Sequence, residues 1–238
     1  VISQLLVYRG LQTRAQAMAY LYTAKYSPCN PFELPDMHKA VTEMIAAINE
    51  DQKIGIWGDF DADGQTSTAI LFEGIKRLTN NIIYRLPVRK NESHGISHAG
   101  ISDFVKEGVN LLITCDTGVS EIESIQYGLE NGIRTIITDH HTLTEVLPDA
   151  LAIVNPERLD PSHPLRHLSG AGVAYKFIEA LYQESGLSDD LTKLLDITAI
   201  GIIADLVPLI GETRYLAQMG IKILQNTARP GLMELLKT

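Results

Sequence analysis

Cysteine is nearly absent: Cys29 and Cys115 are the only two in 238 residues, and neither stands in a zinc-type spacing. That excludes a disulfide scaffold and a cysteine-based zinc module, and it fits a reducing, cytoplasmic setting. Long apolar runs are missing too. Nothing approaches the roughly 18 residues that cross a bilayer, and the most apolar late stretch, Ile197 to Ile210, is interrupted by Asp205 and Pro208. No secretory leader is read at the start, so the Asn91-Glu92-Ser93 triplet, which spells a glycosylation acceptor, is set aside. Positive charge is scarce, with 20 Lys and Arg against 29 Asp and Glu and a net charge of −9. This balance speaks against a surface that coats nucleic acid indiscriminately, and leaves a metal-loaded acidic site or a locally confined basic groove. Neither an internal repeat nor a low-complexity tract is found. Apolar residues make up 45% of the chain, enough for the core of one large domain or two small ones. The chain opens on Val1 and stops at Thr238 without a Gly- or Pro-rich exit, from which we expect a piece of a longer protein.

Against these absences stands Gly58-Asp59-Phe60-Asp61-Ala62-Asp63-Gly64, three carboxylates at alternating positions after the apolar run Ile54-Gly55-Ile56-Trp57. The run reads as a strand, the acids as a tight turn, and Thr66-Ser67-Thr68-Ala69-Ile70-Leu71 as the start of a helix. Acids at the carboxyl end of a strand stand where open α/β sheets place ligands. Like charges on one turn repel unless something positive lies between them, and carboxylate oxygens suit magnesium or manganese. A solvated acidic loop is the other reading of this segment by itself.

The pattern then repeats. Residues 1–35 read as short helices and a proline-bearing linker; a helix follows from Met37, with Asp36 placed to cap it and His38 on its surface. After the helix of about Thr66 to Leu78 come a strand at 82–86, a helix at 97–106, a strand at 111–115 ending in Asp116-Thr117-Gly118, a helix at 121–130, and a strand at 133–138 that delivers Asp139-His140-His141. A further strand is read at 151–154. Strict alternation predicts an α/β fold: a doubly wound, mostly parallel sheet flanked by helices. From Ser169-Gly170-Ala171-Gly172 onward the chain reads as mostly helical, with helices over 173–184, 189–207 and 214–225. Asp205 stands out there, because a carboxylate in an apolar helical segment is costly without a cation. His163 and His167 read as loop residues. Such a sheet would bring Asp61, Asp63, Asp116, Asp139, His140 and His141 to one edge, with Asp205 arriving from a helix. Carboxylates mixed with imidazole match manganese, with zinc or magnesium less favoured.

At this density of motifs the sequence resembles the DHH phosphoesterases, and within them a branch of single-strand-specific 5′ to 3′ DNA exonucleases. The likeness runs over about residues 53 to 210 and rests on GDFDADGQTST at 58–68, LPVRKNESHGIS at 86–97, TCDTGVS at 114–120, TDHH at 138–141, IVNP at 153–156, LSGAGVAYK at 168–176 and ADLVPL at 204–209. The resemblance implies metal-dependent hydrolysis of phosphodiester bonds in single-stranded DNA, in repair and recombination. It implies Asp61, Asp63, Asp116, His140 and Asp205 as ligands of one or two Mn2+ ions, with Mg2+ as the alternative and Asp116 as the bridge. His141, oriented by Asp139 and grouped with Asp59, would be catalytic. Arg89, His94, Gly170 and Gly172 would meet substrate phosphates. It further implies residues 36–210 as the catalytic domain and 211–238 as a helical lead to a domain beyond. Single-stranded DNA would be the partner, with a single-strand-binding protein or helicase beside it and no membrane. The family also holds phosphodiesterases acting on short oligonucleotides or cyclic dinucleotides, and non-catalytic scaffolds of replication assemblies. Two positions depart from its pattern. Trp57 stands where several members have a histidine, which implies that one ion site is weaker, and His94 stands where an aromatic hydroxyl is usual.

Overall fold

The computed structural model describes residues 2–90, 92 and 94–237, so Asn91 and Ser93 of the acceptor triplet lie outside the described residues. Short apolar runs become strands: β1 (Ile54–Trp57), β2 (Ile82–Arg85), β3 (Leu111–Cys115), β4 (Arg134–Thr138) and β5 (Ala152–Val154). β1, β3 and β5 are buried along their whole length, as strands covered on both faces must be. They form one sheet in the order β2-β1-β3-β4-β5, parallel at every pairing.

In chain order the helices are α1 (Ile2–Tyr8), α2 (Arg14–Leu21), α3 (Met37–Asn49), α4 (Ala62–Ile75), α5 (His98–Lys106), α6 (Ile122–Glu130), α7 (Gly170–Ser185), α8 (Leu195–Ala204), α9 (Gly211–Leu224) and α10 (Pro230–Leu235). Side chains alternate across the sheet. Ile54, Ile56, Leu111, Ile113 and Cys115 pack with α3, α4, α7 and α8, while Trp57, Leu112, Ile137 and Ile153 pack with α5 and α6. The fold is therefore doubly wound. From β1 the chain goes outward to β2 and then back across to β3, so the carboxyl ends of β1 and β3 flank the point where strand order reverses, the usual place for a crevice.

Several elements differ from the sequence-based expectations. The helix expected from Thr66 begins at Ala62: Asp61 caps it by accepting from the Gly64 amide at 2.9 Å, and Asp63 lies in its first turn. Carboxylates satisfy and complement a helix N-terminus, which draws the helix back into the acidic stretch. Asp36 does not cap α3. Its backbone is left-handed, with φ 59°, and its carboxylate instead accepts from the Ile153 amide at 3.2 Å and Arg158 at 2.6 Å, tying the start of α3 to β5. The helix expected over 189–207 is a 3₁₀ turn, Leu191–Leu194, followed by α8, because Asp190 turns its side chain onto the Thr192 amide and starts a tighter turn. Asp205 thus caps the end of α8 rather than sitting inside it. α9 lies on α8 and adds Leu216 and Ala217 to the common core. Among the described residues no helix is long and apolar enough to cross a membrane.

The segment before α3 is stapled down by a buried charge. Lys176 on α7 has its Nζ 2.6 Å from Glu212 of α9 and 2.8 Å from Glu179, and donates to the Cys29 carbonyl at 3.0 Å; the Cys29 amide donates to Glu212 at 3.1 Å. Lys176 and Glu212 are both buried. Removing one partner leaves the other charge stranded, which costs about 3–5 kcal/mol. Lys176→Met is therefore expected to lower unfolding free energy by that amount in urea titrations, and adding Glu212→Gln to recover most of it. A loss below about 0.5 kcal/mol for Lys176→Met, the scale of an ordinary surface change, would contradict this role.

Candidate metal centre and cleft

Asp63 is aimed at the protein's own helix end. Its Oδ1 accepts from Ser169 Oγ at 3.0 Å and from the Ala171 amide at 3.0 Å, and its Oδ2 from the Gly170 amide at 2.6 Å. These donors are the cap and first turn of α7, whose free amides and dipole hold an anion well. The glycines make the approach feasible: a Cβ on Gly170 would stand 2.6 Å from the Asp116 Cβ, and one on Gly201 would meet Asp63 Oδ1 at 2.5 Å. The phosphate-binding role read from Gly170 and Gly172 is accordingly corrected. The Gly170 amide is spent on Asp63, the Gly172 amide on Ser169 Oγ, and both residues are buried.

Asp116 follows β3 with φ 60°, a conformation that costs a residue with a Cβ and persists where its surroundings enforce it. His140, one residue past Asp139, brings its Nε2 to 3.0 Å from Asp116 Oδ1, 3.8 Å from Asp63 Oδ2 and 3.7 Å from Asp205 Oδ2. The closest of these contacts is out of line for a hydrogen bond, so Asp116 Oδ1 and His140 Nε2 are both buried polar atoms without a hydrogen-bond partner. Burial pushes the Asp116 carboxyl up to about 8, with the charge of Asp63 adding to it and His140 pulling the other way. Burial also raises the carboxyls of Asp63 and Asp205. For His140 burial works against the charged form, but the Asp116 and Asp63 carboxylates outweigh it and its pKa is raised. Two orphaned atoms, one carboxylate and one imidazole, surrounded by acids that resist ionising, fit a divalent cation. Potential ligand atoms converge in two groups that share His140: Asp63, His140 and Asp205, and Asp116, His140 and His141. Asp61 belongs to neither. It is exposed at the N-cap of α4, near enough for its charge to raise the Asp116 and Asp205 carboxyls.

Beside the cluster lies a cleft of about 240 Å³ lined by Asp59, His94, Asp116, Asp139 and His141 among others. Asp139 is buried and fully engaged: Oδ1 accepts from the His140 and His141 amides at 2.7 and 3.1 Å and faces His141 Nδ1 at 2.7 Å, while Oδ2 accepts from the Val119 amide at 3.0 Å. Burial would raise this carboxyl, yet these donors hold it below the usual range. The same contact raises the His141 imidazole to about 9. His141 is half-exposed with Nδ1 committed to Asp139, so Nε2 is the atom left for the cleft. The Phe60 ring, 4.2 Å from that of His94, also carries the exposed Arg89 guanidinium at 5.3 Å, which has no carboxylate partner among the described residues. Trp57 is packed against Phe104 and Arg85 on the α5 side of the sheet, so its replacement of a histidine serves the core. Sequence reading missed Ser169 as a holder of Asp63 and Phe60 as the ring beneath Arg89. A serine placed three residues before Gly172 at a helix start was the available signal for the first; nothing marked the second.

A model of the DHH family, N-terminal domain, matches residues 53–202. The single-stranded-DNA-specific exonuclease RecJ of Bacillus subtilis is 39% identical over 237 residues, covering 100% of this chain and 30% of that protein. A crystal structure of exonuclease RecJ bound to manganese superposes with a TM-score of 0.80 at 31% identity, covering 88% of this chain and 53% of that one. RecJ from Thermus thermophilus superposes with a TM-score of 0.80 in complex with Mn2+, at 29% identity over 98% of this chain and 32% of that one, and with 0.67 in complex with Mg2+, at 25% identity over 98% and 29%. The chain spans about a third of the length of the curated relatives it matches.

The electrostatics carry a sign that can be measured. Asp116 has a folded pKa raised above the unfolded value, so the folded state binds the extra proton and metal-free stability falls as pH rises from about 4 towards 8. In Asp116→Asn that part of the slope is expected to vanish in pH-dependent denaturant titrations. A slope identical to wild type would contradict the assignment. With a divalent ion at 100 times its Kd, wild type is expected to gain about 2.7 kcal/mol, and Asp116→Asn to lose most of that gain.

Proposed function

The chain belongs to the DHH family, and from that premise we propose that residues 36–210 form the catalytic domain of a metal-dependent nuclease that hydrolyses phosphodiester bonds in single-stranded DNA from the 5′ end. The observation that carries the reading is the orphaned pair Asp116 and His140, set between Asp63 and Asp205 and beside a cleft with a carboxylate-held imidazole. The relatives from Bacillus subtilis and Haemophilus influenzae are single-stranded-DNA-specific exonucleases, which supports the substrate class. The work of such an enzyme is repair and recombination in the cytoplasm, on strands delivered by a single-strand-binding protein or helicase.

Asp63 Oδ2, Asp116, His140 and Asp205 would hold Mn2+, or Mg2+ in its place, with Asp61 completing the set. With Trp57 where a second nitrogen ligand would stand, one ion would bind tightly and a second weakly. When bound, the ion supplies Lewis-acid polarisation of the phosphodiester and of the attacking water. The protein does the rest. Ser169 and the α7 amides keep Asp63 oriented. Asp139 fixes the His141 ring, so that Nε2 meets the scissile phosphate and can hand a proton to the departing oxygen. Arg89, exposed and without a carboxylate partner among the described residues, would grip a substrate phosphate. This local cation matters in a chain of net charge −9.

His141→Ala is expected to lower turnover on 5′-phosphorylated single-stranded DNA by roughly 10²-fold or more while leaving manganese binding and stability nearly intact. His140→Ala is expected to weaken manganese binding, with part of the activity restored at high manganese. Rescue of His141→Ala by added manganese, or a wild-type rate in either variant, would overturn these roles.

A further inference from the structure

The IVNP stretch at 153–156 adjoins the Asp139-His140-His141 turn. β4 and β5 pair as far as Thr138 and Val154, and the Asp139 amide adds one more bond to the Val154 carbonyl at 3.1 Å. There the ladder stops. The residue after β5, Asn155, continues the connection with its side chain: Nδ2 donates to the His141 carbonyl at 3.0 Å, and Oδ1 accepts from the Glu157 amide at 2.7 Å, capping the 3₁₀ turn Pro156–Arg158. Asn155 is fully buried, so both ends of its amide need the partners they have. Those partners also set which end is which, since a carbonyl takes a donor and an amide N–H an acceptor.

This bond lies at a boundary. Upstream, His141 is fixed by Asp139, whose Oδ1 accepts from its amide at 3.1 Å and faces its Nδ1 at 2.7 Å. Downstream, residues 142–147 form no helix or strand and are largely exposed. The Asn155 bond holds the His141 carbonyl on that side, so the backbone is fixed from both directions while the ring faces the cleft. The anchor is itself stiff. Arg166 donates to the carbonyls of Pro156 and Leu159 at 3.3 and 3.2 Å and to that of Glu157, and pairs with Glu157 Oε2 at 2.7 Å. Arg158 joins the Ile153 carbonyl at 2.7 Å to Asp36 at 2.6 Å. Capping alone does not require asparagine, because serine and aspartate cap as well. What asparagine adds is a donor on the same group, and here that donor goes to the His141 carbonyl.

Resting on the nuclease reading above, we propose that Asn155 is a positioning residue for His141: its Nδ2–H holds the His141 carbonyl, and with it the direction in which Nε2 enters the cleft. Asn155 belongs to neither group of converging ligand atoms and acts through the backbone alone. A displacement of about 1 Å in a group that must meet a phosphate costs as much as roughly 10²-fold in rate, so one hydrogen bond at this point bears on turnover beyond its share of stability. His140 is held separately, by its own amide on Asp139 at 2.7 Å and by the three acids around its Nε2. Loss of the Asn155 donor therefore falls on His141 and spares the metal.

The test uses the manganese-loaded chain and two variants, so that it stands if one of them fails to fold. Asn155→Ser keeps a capping hydroxyl that falls short of the His141 carbonyl; Asn155→Asp keeps shape and cap but has no donor. In steady-state kinetics on 5′-phosphorylated single-stranded DNA, each is expected to lower kcat by roughly 10-fold or more, while KM and the Kd for manganese stay within about 3-fold. Added to His141→Ala, either should cost no further rate, because the side chain it positions is gone. A merely structural Asn155 would multiply the loss by the same factor in both backgrounds. That additivity, or a wild-type kcat in both variants, would overturn the proposal. Hydrogen exchange read by mass spectrometry over residues 139–142 is independent of activity: protection there is expected to fall in both variants while that of β3 is unchanged. If wild type cleaves no single strand, the nuclease reading fails and the exchange measurement judges the Asn155 bond by itself. Unchanged exchange over 139–142 would overturn it.

Discussion

Buried carboxylates of like charge need a cation between them, and the rest of this molecule is arranged around that constraint. Asp63 and Asp116 are almost wholly excluded from water, and Asp205 is held nearby at the end of α8. Without an ion, burial pushes the Asp116 carboxyl up to about 8 and favours its protonated form. His140 cannot settle the matter alone. One imidazole faces three acids, and its nearest contact is misaligned for a hydrogen bond. An ion that binds here must displace any proton the carboxyls retain, so affinity for metal rises with pH as they ionise.

The fold supplies the geometry by three devices. A parallel sheet with β1 and β3 on either side of its reversal point brings the ends of separate strands together. The N-terminus of α7 then binds Asp63 through a serine hydroxyl and two amides, replacing the water that a carboxylate loses on burial. Finally, Gly170 and Gly201 remove the side chains that would keep α7 and α8 away from the acids. Around this centre the His94 and His141 imidazoles of the cleft face buried Asp59 and Asp139, and His141 is thereby set before any substrate arrives.

Much of this was legible in the sequence because strands, helices and turns alternate with clear punctuation. The edges of β3 and of α6 lie within a residue of where the apolar runs and the Asn131-Gly132 turn put them. The placement of Asp116 and Asp139-His140-His141 at strand ends follows from the same alternation. What was not legible is long-range pairing. Ser169 reaches Asp63 across 106 positions, so a helix start rich in amides was read as a cradle for a foreign phosphate when its anion is the protein's own. Asp36 and Asp190 show the same limit on a smaller scale: both have capping chemistry, but tertiary partners or a tighter turn claimed their carboxylates. Asp61 looked equivalent to Asp63 in the alternating acids, yet helical geometry turns one inward and leaves the other at an exposed cap.

The measurement that bears most directly on the constraint is pulsed electron paramagnetic resonance of Mn2+ bound to the protein, reading the hyperfine coupling to directly ligated nitrogen. His140 is the residue common to both ligand groups, its Nε2 facing Asp63, Asp116 and Asp205, while His141 has Nδ1 committed to Asp139 and Nε2 assigned to the phosphate. A single imidazole nitrogen coupling is therefore expected in wild type, lost in His140→Ala and retained in His141→Ala. Bound manganese without nitrogen coupling, or a coupling that survives in His140→Ala, would show that the orphaned pair is not where the cation sits.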